Sequence, residues 1–345
     1  MENEVKREIF YNGSRTLTHN CLFNFIVGSR GCGKTFWFKK WAIDDFLKNE
    51  NQFIYVRRYE KEVKKSVKTF FDDIRCYYPD NELTVKGRNF YIDGKVAGYC
   101  IVLSTAKIEK SVSYPFVNKI GFDEFLIEKG FYKYLPDEVE TFLNLYETVA
   151  RPGSNHVDVT VFFLANAISF TNPYFLYFDL KPPTKKDKNG KLIYRKDEIL
   201  IEMTDGNGFV DEKKKTRFGK MIDGTTYGDY SINNKFLLDD NTFVEKKSPS
   251  ARYYFTLLFK EMEFGVWVDF NLGKFWVSNK TDPSYKLKYS VTMKDHRPNA
   301  VFLKSLPKNS HFKIFCEAYK QGCVYFESIN IKNITYEVIK MSLSV

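Results

Sequence analysis

The sequence predicts a two-part α/β protein: a doubly wound, mostly parallel sheet with a phosphate-binding loop, then a basic connecting stretch and a smaller sheet-and-helix domain. Three observations predict it. An apolar strand (Leu22, Phe23, Phe25, Ile26, Val27) runs into Gly28-Ser29-Arg30-Gly31-Cys32-Gly33-Lys34-Thr35 and then into an amphipathic helix. That is a complete G-x-x-x-x-G-K-[ST] pattern in the strand-to-helix setting its chemistry requires. Further strands and helices alternate after it, as in a sheet with helices on both faces. From Arg252 the pattern changes to three strands joined by short turns, which marks a second domain. We therefore expect domains at 1–200 and 235–345, with 201–234 as a connecting subdomain.

The chain has 345 residues, long for one core and comfortable for two. A hydrophobic fraction of 43% and an aromatic fraction of 17% suit a packed protein and argue against disorder. The net charge of +10 favours a polyanionic partner. The six cysteines form no C-x-x-C and have no histidine at zinc spacing, so they read as reduced thiols in a cytosol. The polar start MENEVKRE is no signal peptide, and no apolar run approaches the roughly 18 residues of a membrane span.

In the loop, successive glycines let backbone N–H groups turn onto an anion, and the dipole of the following helix adds to the attraction. Lys34 is placed to reach the β- and γ-phosphates of ATP, and the Thr35 hydroxyl to ligate Mg²⁺. The helix from Lys34 to about Leu47 carries Trp37, Trp41 and Phe46 at helical spacing, a core-packing pattern. Strand Phe53–Val56 ends in Arg57-Arg58, and a helix with Lys61, Lys64, Lys65 and Lys68 follows. Strand ends of a doubly wound sheet lie on its ligand side. Two readings of these cations stay open, contact with nucleic acid or a solvated face.

Residues 83–104 form an antiparallel insertion in which Asp93-Gly94 suits a tight hairpin. The run from Phe116 to Phe122 leads into Asp123-Glu124, the expected Walker B strand, although Asn118, Lys119 and Gly121 interrupt its apolar character. Asp123 would hold Mg²⁺ through water, and Glu124 would orient and deprotonate the attacking water. Pro136-Asp137 caps a helix with Val139, Phe142, Leu143, Tyr146 and Val149 on its apolar face, stopped at Pro152-Gly153. Arg151, just beyond it, either offsets the helix dipole or serves as an arginine finger toward a neighbouring subunit. Strand Val157–Leu164 ends in Ala165-Asn166-Ala167, where Asn166 would be a γ-phosphate sensor or an ordinary loop cap. Lys110 is a further candidate for phosphate contact in trans.

After Pro173 come a basic, turn-rich stretch (Lys181–Lys191), then Lys213-Lys214-Lys215-Thr216-Arg217 and repeated glycines (206, 208, 219, 224, 228), up to about Asn234. Such loops either grip a phosphate backbone or solubilise a hinge. In the second domain, strands Arg252–Phe259, Phe264–Phe270 and Lys274–Asn279 precede a helix near Ser310–Gln321 with Gly322 as C-cap, strand Val324–Phe326, and helix Thr335–Met341. This β-β-β-α-β-α order resembles the RNase H-like fold, whose nucleases need carboxylates on the first and fourth strands for two metals. Glu327 suits the second position, but Arg252–Phe259 carries no acid. The expectation is a domain that binds nucleic acid without cutting it.

With these segments in order, the sequence is similar to the genome-packaging ATPases of phi29-like bacteriophages, of the FtsK/HerA side of the P-loop ATPases. GSRGCGKT, QFIYVRRY, VKGRNFYIDGKVAG, FDEF, NPYFL, KTRFGKMIDGT and GVWVD carry the resemblance along nearly the whole chain. It implies ATP and Mg²⁺ as ligands, a homo-oligomeric ring, pentameric in expectation, and transient docking on the portal of a prohead in the host cytoplasm. Double-stranded DNA would be the cargo and a packaging RNA the scaffold partner. The family's roles fall on Lys34 and Thr35, Asp123 and Glu124, and Arg151 as the finger in trans, with Lys110 matching a second position at the subunit interface. Gly121 departs from the Walker B pattern, and one arginine alone follows the 138–149 helix. Two rivals are a related pump or helicase, and an adaptor whose loop only senses ATP.

Overall fold

β1 (Phe23–Gly28) is buried at every residue, as a strand covered on both faces must be. It belongs to a computed structural model that describes residues 10–127, 134–135, 137–151, 155, 158–166, 172–178, 180–181, 183–187, 190–204, 207–225, 243–259, 261–303 and 310–343. Pro136, Pro152-Gly153, Val157, Ala167, Pro182, Lys188, Asn189, Gly206, Gly228 and Asn234, named above or within the stretches given there, lie outside these, as do the side chains of Lys65 and Lys110.

Around β1 the first unit runs α1 (Ser14–Leu17), then after β1 α2 (Lys34–Asn49), β2 (Gln52–Arg57), α3 (Glu60–Ser66), β3 (Leu83–Lys86), β4 (Asn89–Ile92), β5 (Lys95–Val102) and β6 (Val117–Asp123). It continues with α4 (Glu138–Val149), β7 (Thr160–Asn166), α5 (Pro173–Tyr177), β8 (Lys185–Lys186), β9 (Leu192–Lys196), β10 (Ile199–Thr204), α6 (Asn207–Lys215) and α7 (Arg217–Ile222). The sheet order is β3-β4-β5-β2-β6-β7-β1-β10-β9-β8. From β5 to β10 every pair is parallel, so Arg57, Asp123, Asn166, Gly28 and Thr204 finish their strands along one edge. That edge is the ligand side of such a sheet.

The faces of the sheet carry two aromatic cores. Phe25, Phe122, Phe142, Phe163 and Tyr174 fill one, and Phe38, Phe53, Phe70 and Phe90 the other. Trp37 and Trp41 stack at 5.4 Å at the margin of the second core, while Phe38, Ala42 and Ile43 supply the fully buried stripe of α2. Asp93 and Gly94 both take positive φ (49° and 76°), the turn that matches the twist of a two-residue hairpin. The insertion is antiparallel within itself, but β5 joins β2 in parallel and extends the main sheet.

The three polar or small residues of β6 each have a physical reason. Lys119 is fully buried and bonded to Asp45, whose pKa falls to about 2: burial would raise it, but hydrogen bonds from Lys119, Asn49 and Asn118 outweigh that. Asn118 shares this carboxylate, at 3.2 Å. At Gly121 a Cβ would sit 2.4 Å from the Phe38 ring, so glycine there is what lets α2 close onto the sheet.

Several boundaries move. β7 covers Thr160–Asn166, which puts Asn166 inside the strand. At the start of α4 the Asp137 side chain makes no capping bond; Glu138 instead accepts from the Leu135 N–H at 2.8 Å. The expected boundary after residue 200 would cut β10, which pairs with β1 beside the phosphate loop. The compact units are Met1–Leu238 and Asp239–Val345, so the described residues of the stretch read as a connecting subdomain, 201–204 and 207–225, belong to the first unit.

The second unit holds β11 (Arg252–Phe259), β12 (Met262–Asp269), β13 (Lys274–Ser278), β14 (Lys288–Ser290), β15 (Val301–Phe302), α8 (His311–Lys320), β16 (Val324–Phe326) and α9 (Ile329–Leu343). Ser310 caps α8 by accepting from the Lys313 N–H, and Gly322 follows it at φ 72°. The sheet order is β15-β14-β11-β12-β13-β16. The strand parallel to β11 is therefore β14, which sequence reasoning missed for its three-residue length, and β16 lies at the opposite edge beside β13. Glu327, just past β16, accepts from Ser278 Oγ at 2.6 Å, and two strands, β12 and β13, separate β16 from β11.

Candidate nucleotide site

The loop between β1 and α2 wraps the Lys34 side chain. Its Nζ donates to the carbonyl oxygens of Gly28 and Ser29 at 3.1 and 2.9 Å and lies 3.5 Å from Cys32 Sγ, with the residue only 6% exposed. Arg30 and Gly31 form the exposed crest of the loop, and Ser29 Oγ is buried without a hydrogen-bond partner. Thr35 Oγ1 donates to Asp123 Oδ1 at 3.1 Å, across 88 residues of chain. The hydroxyl and carboxylate expected to share a magnesium ion are thus adjacent, and both are hard oxygen donors suited to it. Among the described residues no larger cluster of histidine, cysteine and acidic groups could hold a metal. A phosphate-borne magnesium ion needs none, since it keeps waters and phosphate oxygens as ligands.

Glu124 follows Asp123 in the left-handed region (φ 56°), a strained setting for a residue with a side chain. Its side chain is 63% exposed and meets Arg57, whose Nη2 donates to Oε2 at 2.7 Å. The same guanidinium lies 3.4 Å from Asp123 Oδ2 and 3.5 Å from Glu62, the latter an ion pair without a hydrogen bond. Tyr55 donates to Asp123 Oδ2 at 2.7 Å. Burial works against the charge on Arg57, but Tyr55, Asp123, Glu124 and Glu62 around it raise its pKa above the ordinary arginine value. Arg57 is therefore a fixed positive charge among the site's carboxylates.

Arg58, only 2% exposed, faces the other way. It forms a two-pronged pair with Glu138 (2.8 and 2.9 Å) and donates to the backbone carbonyls of Glu124 and Phe125 at 3.0 and 2.6 Å. Tyr174 OH completes the shell of Glu138 at 3.1 Å. One buried guanidinium thus holds the strained turn at Glu124 and ties it to the first residue of α4, the helix that leads to Arg151. Removing either charge leaves the other buried and uncompensated, an effect of about 3–5 kcal/mol. Arg58→Ala and Glu138→Ala are each expected to destabilise the protein by that amount in denaturant unfolding. The double variant Arg58→Met with Glu138→Leu should lose less than either, and a larger loss would contradict this account.

The structure brings Gly28, Lys34, Thr35, Asp123 and Glu124 together, and it aligns Asn166 with Gly28 across the parallel β7–β1 pair. Arg151 stands half-buried two residues past α4, outside this cluster of contacts. Lys110 lies in the 3-10 segment Leu103–Ser111. Arg57 and Arg58 fit neither sequence reading of the post-strand cations, since both are buried against carboxylates. Their one sequence signal was position: two charges at the end of an apolar strand, where a doubly wound sheet keeps its ligand edge.

Residues 5–343 match the model of the podovirus DNA encapsidation protein (Gp16) family. The chain belongs to that family. It is 42% identical over 336 residues to the DNA packaging proteins of Bacillus phages PZA and phi29, covering 97% of this chain and 98% of each relative. The fold is similar to the chain solved in the phi29 viral genome packaging motor assembly (TM-score 0.79, 40% identity, 97% of this chain and 99% of that one). It is also similar to the phi28 gp11 DNA packaging motor (TM-score 0.68, 20% identity, 97% and 98% covered), which bears on fold alone. The resemblance read from the sequence thus holds: this is a DNA packaging protein of the phi29 kind, with a P-loop α/β fold.

Proposed function

We propose that this packaging protein hydrolyses ATP at the Gly28–Thr35 loop and couples hydrolysis to driving double-stranded DNA into a prohead. The observation that carries the reading is the meeting of Thr35 with Asp123 beside Lys34, with Glu124 next in the chain. Lys34 binds the β- and γ-phosphates, exchanging its loop carbonyls for them. Thr35 and Asp123 hold Mg²⁺, which supplies charge neutralisation on the transferred phosphoryl group. Glu124 orients the attacking water and takes its proton. Arg57 engages Oε2 alone, so Oε1 of the exposed carboxylate is the oxygen left to take that proton. Asn166, ending the strand between β1 and β6, is placed to sense the γ-phosphate, and Arg151 and Lys110 act on a neighbouring subunit's nucleotide in trans.

Membership of the packaging family supports a ring that acts with the portal and DNA, and we propose that it is pentameric, uses a packaging RNA as scaffold and docks in the host cytoplasm. Among the described residues no helix is long and apolar enough to cross a membrane. The second unit is proposed to bind nucleic acid without cutting it. β11 bears no acid, Glu327 is engaged by Ser278, and the Asp269 carboxylate caps its own turn through the Asn271 and Leu272 N–H groups. One experiment covers both units. DNA is expected to stimulate ATP turnover by the full chain and to be recovered uncut with Mg²⁺ or Mn²⁺, while Lys34→Ala binds no ATP. Turnover that survives in Lys34→Ala, or metal-dependent cleavage of the DNA, would count against the respective half of the proposal.

A further inference from the structure

Phosphate chemistry explains Lys34, Thr35 and Asp123, but it does not explain two phenylalanines on the outer side of the loop. At Gly31 an added Cβ would lie 3.2 Å from the Phe209 ring, and at Gly33 one would lie 3.3 Å from Phe10 Cβ. The two rings meet at 5.9 Å between centroids, tilted by 46°. Phe10 is 47% exposed, a large apolar surface left in solvent beside a polar loop. Its segment is pinned there, because the Tyr11 N–H donates to the Cys32 carbonyl at 2.8 Å. Phe209 comes from α6, whose Lys213 Nζ reaches the Arg30 carbonyl at 3.4 Å. Two segments remote in sequence, one before β1 and one after β10, therefore bring an exposed ring (Phe10) and a half-buried one (Phe209) to the same loop.

The order of the sheet says which part of a nucleotide would meet them. Along the ligand edge the strands run β6-β7-β1-β10. The γ-phosphate end is fixed on the β6 side by Asp123 and Glu124, so the rest of the molecule extends across the end of β1 toward β10 and α6. A phenyl ring offers phosphate no hydrogen bond, whereas it offers a flat heterocycle a stacking face. The geometry points to Phe10 and Phe209 as the base-binding residues of the site: they hold the purine of the bound nucleoside triphosphate by stacking. Stacking reads no base edge, so these rings add affinity without choosing adenine over guanine. The inference rests on the reading of the Gly28–Thr35 loop as the triphosphate site.

The test compares ligands with and without a base on the full chain. Dissociation constants for Mg²⁺-ATP, Mg²⁺-GTP and Mg²⁺-tripolyphosphate are measured by calorimetry for the parent, Phe10→Leu and Phe209→Leu. Leucine keeps apolar volume over the loop and removes the π face. Each substitution is expected to weaken both nucleotides about 5- to 100-fold, by the same factor for ATP and GTP, with tripolyphosphate changed less than about twofold. Phe209→Tyr, which keeps a ring, should retain ATP affinity. Equal loss of nucleotide and tripolyphosphate would mean that the rings only cover the loop and would overturn the inference, as would no loss of either. A parent chain that binds tripolyphosphate but gains nothing from the base would overturn it too, while leaving the phosphate site intact. Failure of the parent to bind any of the three would instead bring down the nucleotide-site reading and this inference with it.

Discussion

Arg151→Ala is expected to lower DNA-stimulated ATP turnover by about 10³–10⁵, the contribution of an arginine finger that neutralises charge on the γ-phosphate. The rival role, a cation offsetting the dipole of α4, is worth under about 1 kcal/mol of stability and nothing in rate. The two outcomes are too far apart to confuse. α4 begins at the buried Arg58–Glu138 pair and ends at Val149, so Arg151 sits at the far end of an element anchored to the Walker B turn of its own subunit. Action between subunits has its own signature. Arg151→Ala subunits retain their phosphate loop and Glu124, and Glu124→Gln subunits retain their finger. Mixed rings should recover hydrolysis that neither variant shows alone. Full activity of unmixed Arg151→Ala rings would remove the finger from the mechanism.

Glu124→Gln is expected to lose about 10²–10⁴ of turnover with ATP still bound, the range for removing a positioned general base. The amide is isosteric, so the turn at φ 56°, held through its carbonyl by Arg58, should survive. The groups assigned to ATP and Mg²⁺, Lys34 Nζ, Thr35 Oγ1 and Asp123, do not involve the replaced oxygen. The variant also removes the charge pair with Arg57, so a loss of activity cannot be ascribed to tighter trapping of the carboxylate by that arginine. A quench-flow measurement of bound-ATP hydrolysis would show the step itself slowed. Near-normal hydrolysis by Glu124→Gln would exclude Glu124 as the base, whereas absence of DNA-stimulated turnover in the parent chain would favour the adaptor reading, in which the loop senses ATP and no base is needed.

The sequence by itself determined what is written in contiguous residues. A buried strand, glycine-spaced loop and helix follow one another within a single stretch, so local sterics and backbone N–H geometry suffice to specify the phosphate site. Asp93-Gly94 specified its hairpin, and Ser310 and Gly322 bounded α8, for the same local reason. Tertiary structure decided whatever depends on which strand lies beside which. Because β2 packs against β6, Arg57 meets Asp123 and Glu124 and Arg58 meets Glu138, and two cations that read as surface charge are instead buried between carboxylates. The packing of α2 onto β6 turned Lys119 and Gly121, apparent flaws in an apolar strand, into a partner for Asp45 and a seat for Phe38. β10 joined β1 across more than 170 residues and carried α6 to the loop, so a stretch whose composition suggests a hinge became part of the site's wall. Hydrophobic periodicity reports that a residue is buried, but the partner of a buried charge is set by strand order, and strand order arises only when the chain has closed its sheet.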